Sequence, residues 1–158
     1  MQSLALSLLL WLSANSDYEV SGVNPPPIRL LSPEAMTALY YAQTGSGAPA
    51  GAPKIDRRIQ GYVSWADLPQ GVIYLVHPQD TPGAAAHADP TENPLFRERL
   101  LHELVHFAQH ASGAYARFDC PAQGELDAYR LGGLYLRQLG VADPMPGRMA
   151  WVRRYGAC

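Results

Sequence analysis

Among its 158 residues this chain has a single lysine, Lys54, and no lysine or arginine before Arg29. Its 12 basic residues face 14 acidic ones, for a net charge of −2. No basic stripe is left to hold a phosphate backbone, which argues against nucleic acid as a partner. Cysteine is scarce: Cys120 and Cys158 are far apart and form no C-x-x-C pair, so a four-cysteine zinc site is excluded. Long hydrophobic runs are lacking too. "LALSLLLWLSA" is apolar from Leu4 to Leu12, far too short to span a bilayer, and no stable membrane span is expected. With 47% hydrophobic and 16% charged residues the chain is not disordered, and its length suits one domain over 1–158.

The compartment stays open at this level. Residues 1–15 have the length of a signal-peptide core, followed by the small residues Ser13 and Ala14, but lack the basic start that such a segment normally has. The favoured reading is a first buried helix with Ser3 and Ser7 one turn apart on its wetter side. Cys120 and Cys158 are expected to pair, which would mean an exported protein, periplasmic or secreted. Left as free thiols, they would fit the cytoplasm.

There are 14 glycines and 14 prolines, which forecast long irregular connections. "NPPPIRLLSPEAM" predicts a short strand over Ile28–Leu31, then a helix capped by Ser32, with Pro33 at its first position, running to about Gln43. "TGSGAPAGAP" has nothing to pack, and 44–54 is expected to be a flexible loop. "IQGYVSW" and "GVIYLVHP" read as strands separated by a turn at "ADLPQ". A second flexible loop, 79–92, leads to Asn93-Pro94, a helix start. That helix runs to Ala111, and Gly113 stops it. Another helix is predicted over about 121–139, ending at Gly140, and "PGRMAWVRRYGAC" adds a short last one. Gly132 and Gly133 weaken their helix by roughly 1 kcal/mol each, and close packing against the preceding helix is the expected compensation. The order of elements indicates an α+β domain.

Within the predicted helix 94–111 stands His102-Glu103-Leu104-Val105-His106. Two histidines four apart leave one helix face a turn apart, so both imidazoles can reach one Zn²⁺. Glu103 lies beside the ion and can take a proton from water attacking a carbonyl. Zinc needs a third protein ligand. The extended pattern with a third histidine fails, because Gln109 and Ser112 fill the corresponding places, and His110 lies two turns from His102. The next helix offers Glu125 and Asp127, which point to nearly opposite sides. Glu125 is preferred, sharing its face with Tyr129.

Together, "HELVHFAQ", the preceding "IYL", and Cys120-Pro121-Ala122 followed by Glu125, Ala128 and Tyr129 resemble the glutamate-liganded zincin metallopeptidases. More narrowly they resemble a family of small bacterial zincin-like proteins. The resemblance spans roughly residues 28–135 and is concentrated at the motif. It implies a minimal zincin-like fold, a small sheet beside two active-site helices, with substrate along the sheet's edge strand. His102, His106 and Glu125 would be ligands of one Zn²⁺ and Glu103 the catalytic base. Larger relatives often have an aspartate four residues after the ligand glutamate, supporting a ligand histidine. Here that place is Tyr129. Tyr115, Tyr129 and His110 are candidates for stabilising the oxyanion, and His77 and His87 read as surface residues.

The leading reading is a zinc metallopeptidase acting on peptides or proteins, with "GVIYLVHP" pairing with an extended substrate. One alternative is a non-proteolytic zinc-binding protein that recognises a partner or small ligand. Another is a metal-free domain whose histidines are ordinary side chains of an amphipathic helix.

Overall fold

Ser32 and Asn93 decide where two helices begin. The Ser32 Oγ accepts from the Ala35 N–H at 3.2 Å, and the Asn93 Oδ1 accepts from the Leu95 N–H at 3.0 Å. In both cases the next residue is a proline, whose fixed φ suits a first helical position. At the other end of the second of these helices, Gly113 takes φ 72°, a left-handed conformation that stops it.

The computed structural model describes residues 1–43, 50–155 and 158. The described residues form helices α1 (Gln2–Asn15), α2 (Pro33–Gln43), α3 (Pro94–Ala111), α4 (Gln123–Gln138) and α5 (Arg148–Tyr155). The strands are β1 (Ile28–Leu31), β2 (Gly61–Ser64) and β3 (Val72–Val76). Five helices and a small three-stranded sheet make this an α+β fold. The chain falls into two compact units, Pro26–Arg99 on one side and Met1–Pro25 with Leu100–Cys158 on the other. The division runs through α3, whose residues 94–99 belong to the first unit and 100–111 to the second.

In the unit Pro26–Arg99 the sheet order is β1-β3-β2, with β1 parallel and β2 antiparallel to β3. Side chains alternate across a strand, so Val72, Tyr74 and Val76 share one face of β3, in a buried cluster with Met36 of α2. Ile73 and Leu75 face the other way and are buried as well. Burial on both faces explains why this strand reads as an unbroken apolar run. The same position corrects one expectation. "GVIYLVHP" does not offer its backbone to a peptide, because β1 pairs along one side of β3 and β2 along the other. The edges of the sheet are β1 and β2.

Of the expected loop 44–54, residues 44–49 lie outside the described residues. The connection 79–92 winds through one-turn 3-10 helices at Pro78–Asp80, Ala84–Ala86 and Pro90–Glu92. The Asn93 amide donates to the Pro82 carbonyl at 2.9 Å, and the Arg99 guanidinium to the Thr81 hydroxyl at 3.1 Å. Ahead of β2, Asp56 is 5% exposed and ties its segment to α2. Its N–H donates to the Thr37 hydroxyl at 2.9 Å, and its carboxylate accepts from Arg58 at 2.9 and 2.6 Å and from the Tyr41 hydroxyl at 3.2 Å. Hydrogen bonds from Arg58 outweigh the opposing effect of burial and hold the Asp56 carboxyl well below the usual carboxylate range.

In the other unit, α1 buries Ala5, Leu8, Leu9 and Leu12 and exposes Ser3, Leu6, Ser7 and Leu10. Each set follows the i, i+3, i+4, i+7 spacing of one helix face. Burial of each leucine contributes about 1.5–3 kcal/mol. Trp11 places α1 against α4, with its ring edge-on to Tyr135 at 5.3 Å and its indole N–H donating to Gln138 at 2.8 Å. Cys120 and Cys158 form a disulfide that closes a ring around α4 and α5.

Two outcomes follow from these contacts. Asp56 has its carboxyl pKa lowered by folding, so it contributes stability above the unfolded value, near 4, that is lost as the pH falls through the folded value. Thermal midpoints of wild type and Asp56→Asn should therefore differ most near neutrality and converge below about pH 4. An unchanged gap at low pH would assign the effect to packing. For the disulfide, thiol titration of the denatured protein should find no free thiol before reduction and two after it. Cys158→Ser should cost about 2–4 kcal/mol of stability by releasing the ring.

Candidate metal centre

His102 and His106 lie one turn apart on α3, where their rings leave the same side of the helix. Their Nε2 atoms are 3.3 Å apart. Glu125, in the first turn of α4, brings Oε2 to 3.2 Å from the His102 Nε2 and Oε1 to 3.4 Å from the His106 Nε2. These residues are the group among the described residues whose ligand atoms converge as a metal site requires. The donor set tests well against zinc. In a tetrahedral centre with bonds of about 2.0–2.1 Å, neighbouring ligand atoms stand about 3.3–3.4 Å apart. The two imidazole nitrogens stand at that separation, and each faces one oxygen of the Glu125 carboxylate, so the three side chains close on a common point.

The electrostatics agree with a site that gathers positive charge. Burial by itself would raise the Glu125 carboxyl pKa, but hydrogen bonds and charge contacts with His102 and His106 together hold it well below the ordinary carboxylate range. Glu103 follows His102 directly in the sequence and is buried, at 7% exposed.

The other residues singled out from the sequence fall into distinct places. Asp127 does not join the imidazoles. Its Oδ2 accepts from the Tyr18 hydroxyl at 2.7 Å and its Oδ1 from the Arg130 guanidinium at 2.9 Å. Tyr129 meets His102 through its ring, edge-on at 4.7 Å, and carries the Arg148 guanidinium at 5.8 Å from its ring centre. Arg148 is held in turn by a bidentate pair with Asp143, both contacts at 2.8 Å. His110 and Tyr115 stack on each other at 4.0 Å, and burial together with the neighbouring His106 lowers the His110 pKa. His77 and His87 are half-buried in the unit Pro26–Arg99 and take no part in the cluster.

Three residues at the centre were not read from the sequence. Gln109 is fully buried, its Oε1 is 3.1 Å from the His106 Nδ1, and its Nε2 donates to the Gly124 carbonyl at 2.8 Å and to the Tyr18 hydroxyl at 3.3 Å. Burial, helped by the Asp127 hydrogen bond, pushes the Tyr18 phenol up to about 12. Gly124 is where α4 comes close to α3, since a Cβ there would stand 2.7 Å from the Gln109 Oε1. The close approach expected at Gly133 is made instead to Arg148, whose Cδ would lie 3.2 Å from an added Cβ. One signal was available: Gln109 is an uncharged polar residue in a buried stripe three positions after His106, and such a residue needs partners.

Gly124→Ala should thus destabilise the protein despite the better helix propensity of alanine, by about 1–3 kcal/mol of overpacking. Denaturant unfolding that finds the variant as stable as wild type would mean that the glycine is not needed for close packing.

No curated protein and no solved structure matches the chain. A family model matches residues 1–153, nearly the whole sequence, and the chain belongs to that family, described as "Domain of unknown function (DUF6647)".

Proposed function

We propose that this protein is an exported zinc-dependent metallopeptidase of the glutamate-liganded zincin type. The observation that carries the reading is the convergence of His102, His106 and Glu125, which each offer a ligand atom within 4.8 Å of the others'. The Cys120–Cys158 disulfide supports export, because such a bond persists in oxidising compartments.

His102 and His106 would supply neutral imidazole nitrogens and Glu125 one anionic oxygen, leaving a position for substrate chemistry. When bound, zinc acidifies water and polarises a carbonyl. Glu103 is the residue that moves the proton. Its carboxylate takes a proton from the water whose oxygen attacks the scissile carbonyl carbon. The same proton is then delivered to the amide nitrogen as the C–N bond breaks, giving a carboxylate and an amine. Glu103 holds the place in H-E-x-x-H that supplies the base, a residue that a metal held only for structure does not call for.

Elemental analysis should find about one zinc per chain in wild type and in Asp127→Ala, and little in His106→Ala and Glu125→Ala. Glu103→Gln should keep its zinc and lose cleavage of a mixed peptide library by at least about 100-fold. Wild type without zinc after metal-replete purification would end the reading. Zinc without Glu103-dependent cleavage would leave a zinc-binding protein that recognises a partner or ligand.

A further inference from the structure

We infer that Gln109 is a positioning residue for the metal site, and that Tyr18 and Asp127 lock it in that role. The inference rests on the zinc reading above and deepens it.

It begins with what a carbonyl can do. The Gly124 oxygen only accepts hydrogen bonds, so the end of the Gln109 amide at 2.8 Å from it must be the NH₂ group. The opposite orientation would set two oxygens against each other. The amide oxygen therefore faces the His106 Nδ1 at 3.1 Å, and since that oxygen only accepts, the Nδ1 carries the proton. An imidazole that binds an ion through one nitrogen keeps its proton on the other. The contact with Gln109 therefore selects Nε2 as the atom of His106 that would meet zinc, and Nε2 is the atom aimed at His102 and Glu125.

The second N–H of Gln109 is oriented just as firmly. It donates to the Tyr18 hydroxyl at 3.3 Å, and that hydroxyl gives its own hydrogen to the Asp127 Oδ2 at 2.7 Å. The Asp127 carboxylate closes the series and also accepts from Arg130 at 2.9 Å. From His106 to Asp127 every donor points the same way and the series ends on a carboxylate. Such a chain polarises cooperatively and makes the imidazole at its head a stronger ligand. Gly124 belongs to the device, because only a residue without Cβ leaves room for the amide. Residue 18, remote in sequence from the motif, is thereby part of the centre.

The test is zinc affinity by chelator competition, together with imidazole ¹⁵N-edited proton spectra of the zinc-loaded protein. Wild type should show the His106 Nδ1–H as a slowly exchanging, hydrogen-bonded proton. Gln109→Leu should weaken zinc binding about 10- to 100-fold and lose that signal, and Tyr18→Phe should weaken binding less. Tyr18→Phe removes one oxygen, so it keeps the test decisive if Gln109→Leu fails to fold. Zinc binding by wild type without a protected His106 Nδ1–H, or unchanged affinity in a folded Gln109→Leu or, where that variant does not fold, in Tyr18→Phe, would overturn the inference and leave the zinc reading standing. Absence of zinc from wild type would instead remove the reading on which it rests.

Discussion

The side chains of His102, His106 and Glu125 converge from two helices, and the fully buried Gln109 amide lies at the junction. Its NH₂ group donates to the Gly124 carbonyl at 2.8 Å, and its oxygen stands where a side chain at 124 would begin. A larger residue at 124 would displace either that amide or α4, and with α4 the adjacent Glu125. Packing and chemistry are thus one constraint here. The amide that fills the gap between α3 and α4 also fixes a ring of His106, and the helix that it admits carries the carboxylate. Its donors and acceptors are all matched, as a buried amide requires if it is not to cost more than it contributes.

Where the sequence was informative, the information was local. Ser32-Pro33 and Asn93-Pro94 are complete start signals within a few residues, and Gly113 and Gly140 are stops. The helices they bound therefore appear where the pattern put them. Glu125 was legible for a related reason: a 3.6-residue period cannot send Glu125 and Asp127 the same way, and the structure brings Glu125 to the imidazoles.

What was not legible depends on partners far away in the chain. The strand order β1-β3-β2 cannot be read from three short apolar runs, since nothing local distinguishes a central strand from an edge. Tyr18 joins Asp127 across 109 positions and Gln109 across 91, and no short motif records such a pairing. The glycines illustrate the same limit. Gly133 and Gly124 look alike in sequence, yet one makes room for Arg148 and the other for Gln109. Only the fold says which approach each glycine serves.

The disulfide has a topological consequence. Cys120 precedes α4 and Cys158 follows α5, so both helices and the largely exposed connection between them lie inside one covalent ring. A single cut in the stretch 140–147 would open that ring without releasing a fragment. Glu125 would stay on one arm and Arg148 on the other, still joined through the sulfurs, and the nicked chain would gain only the mass of one water and stay in one piece until it was reduced.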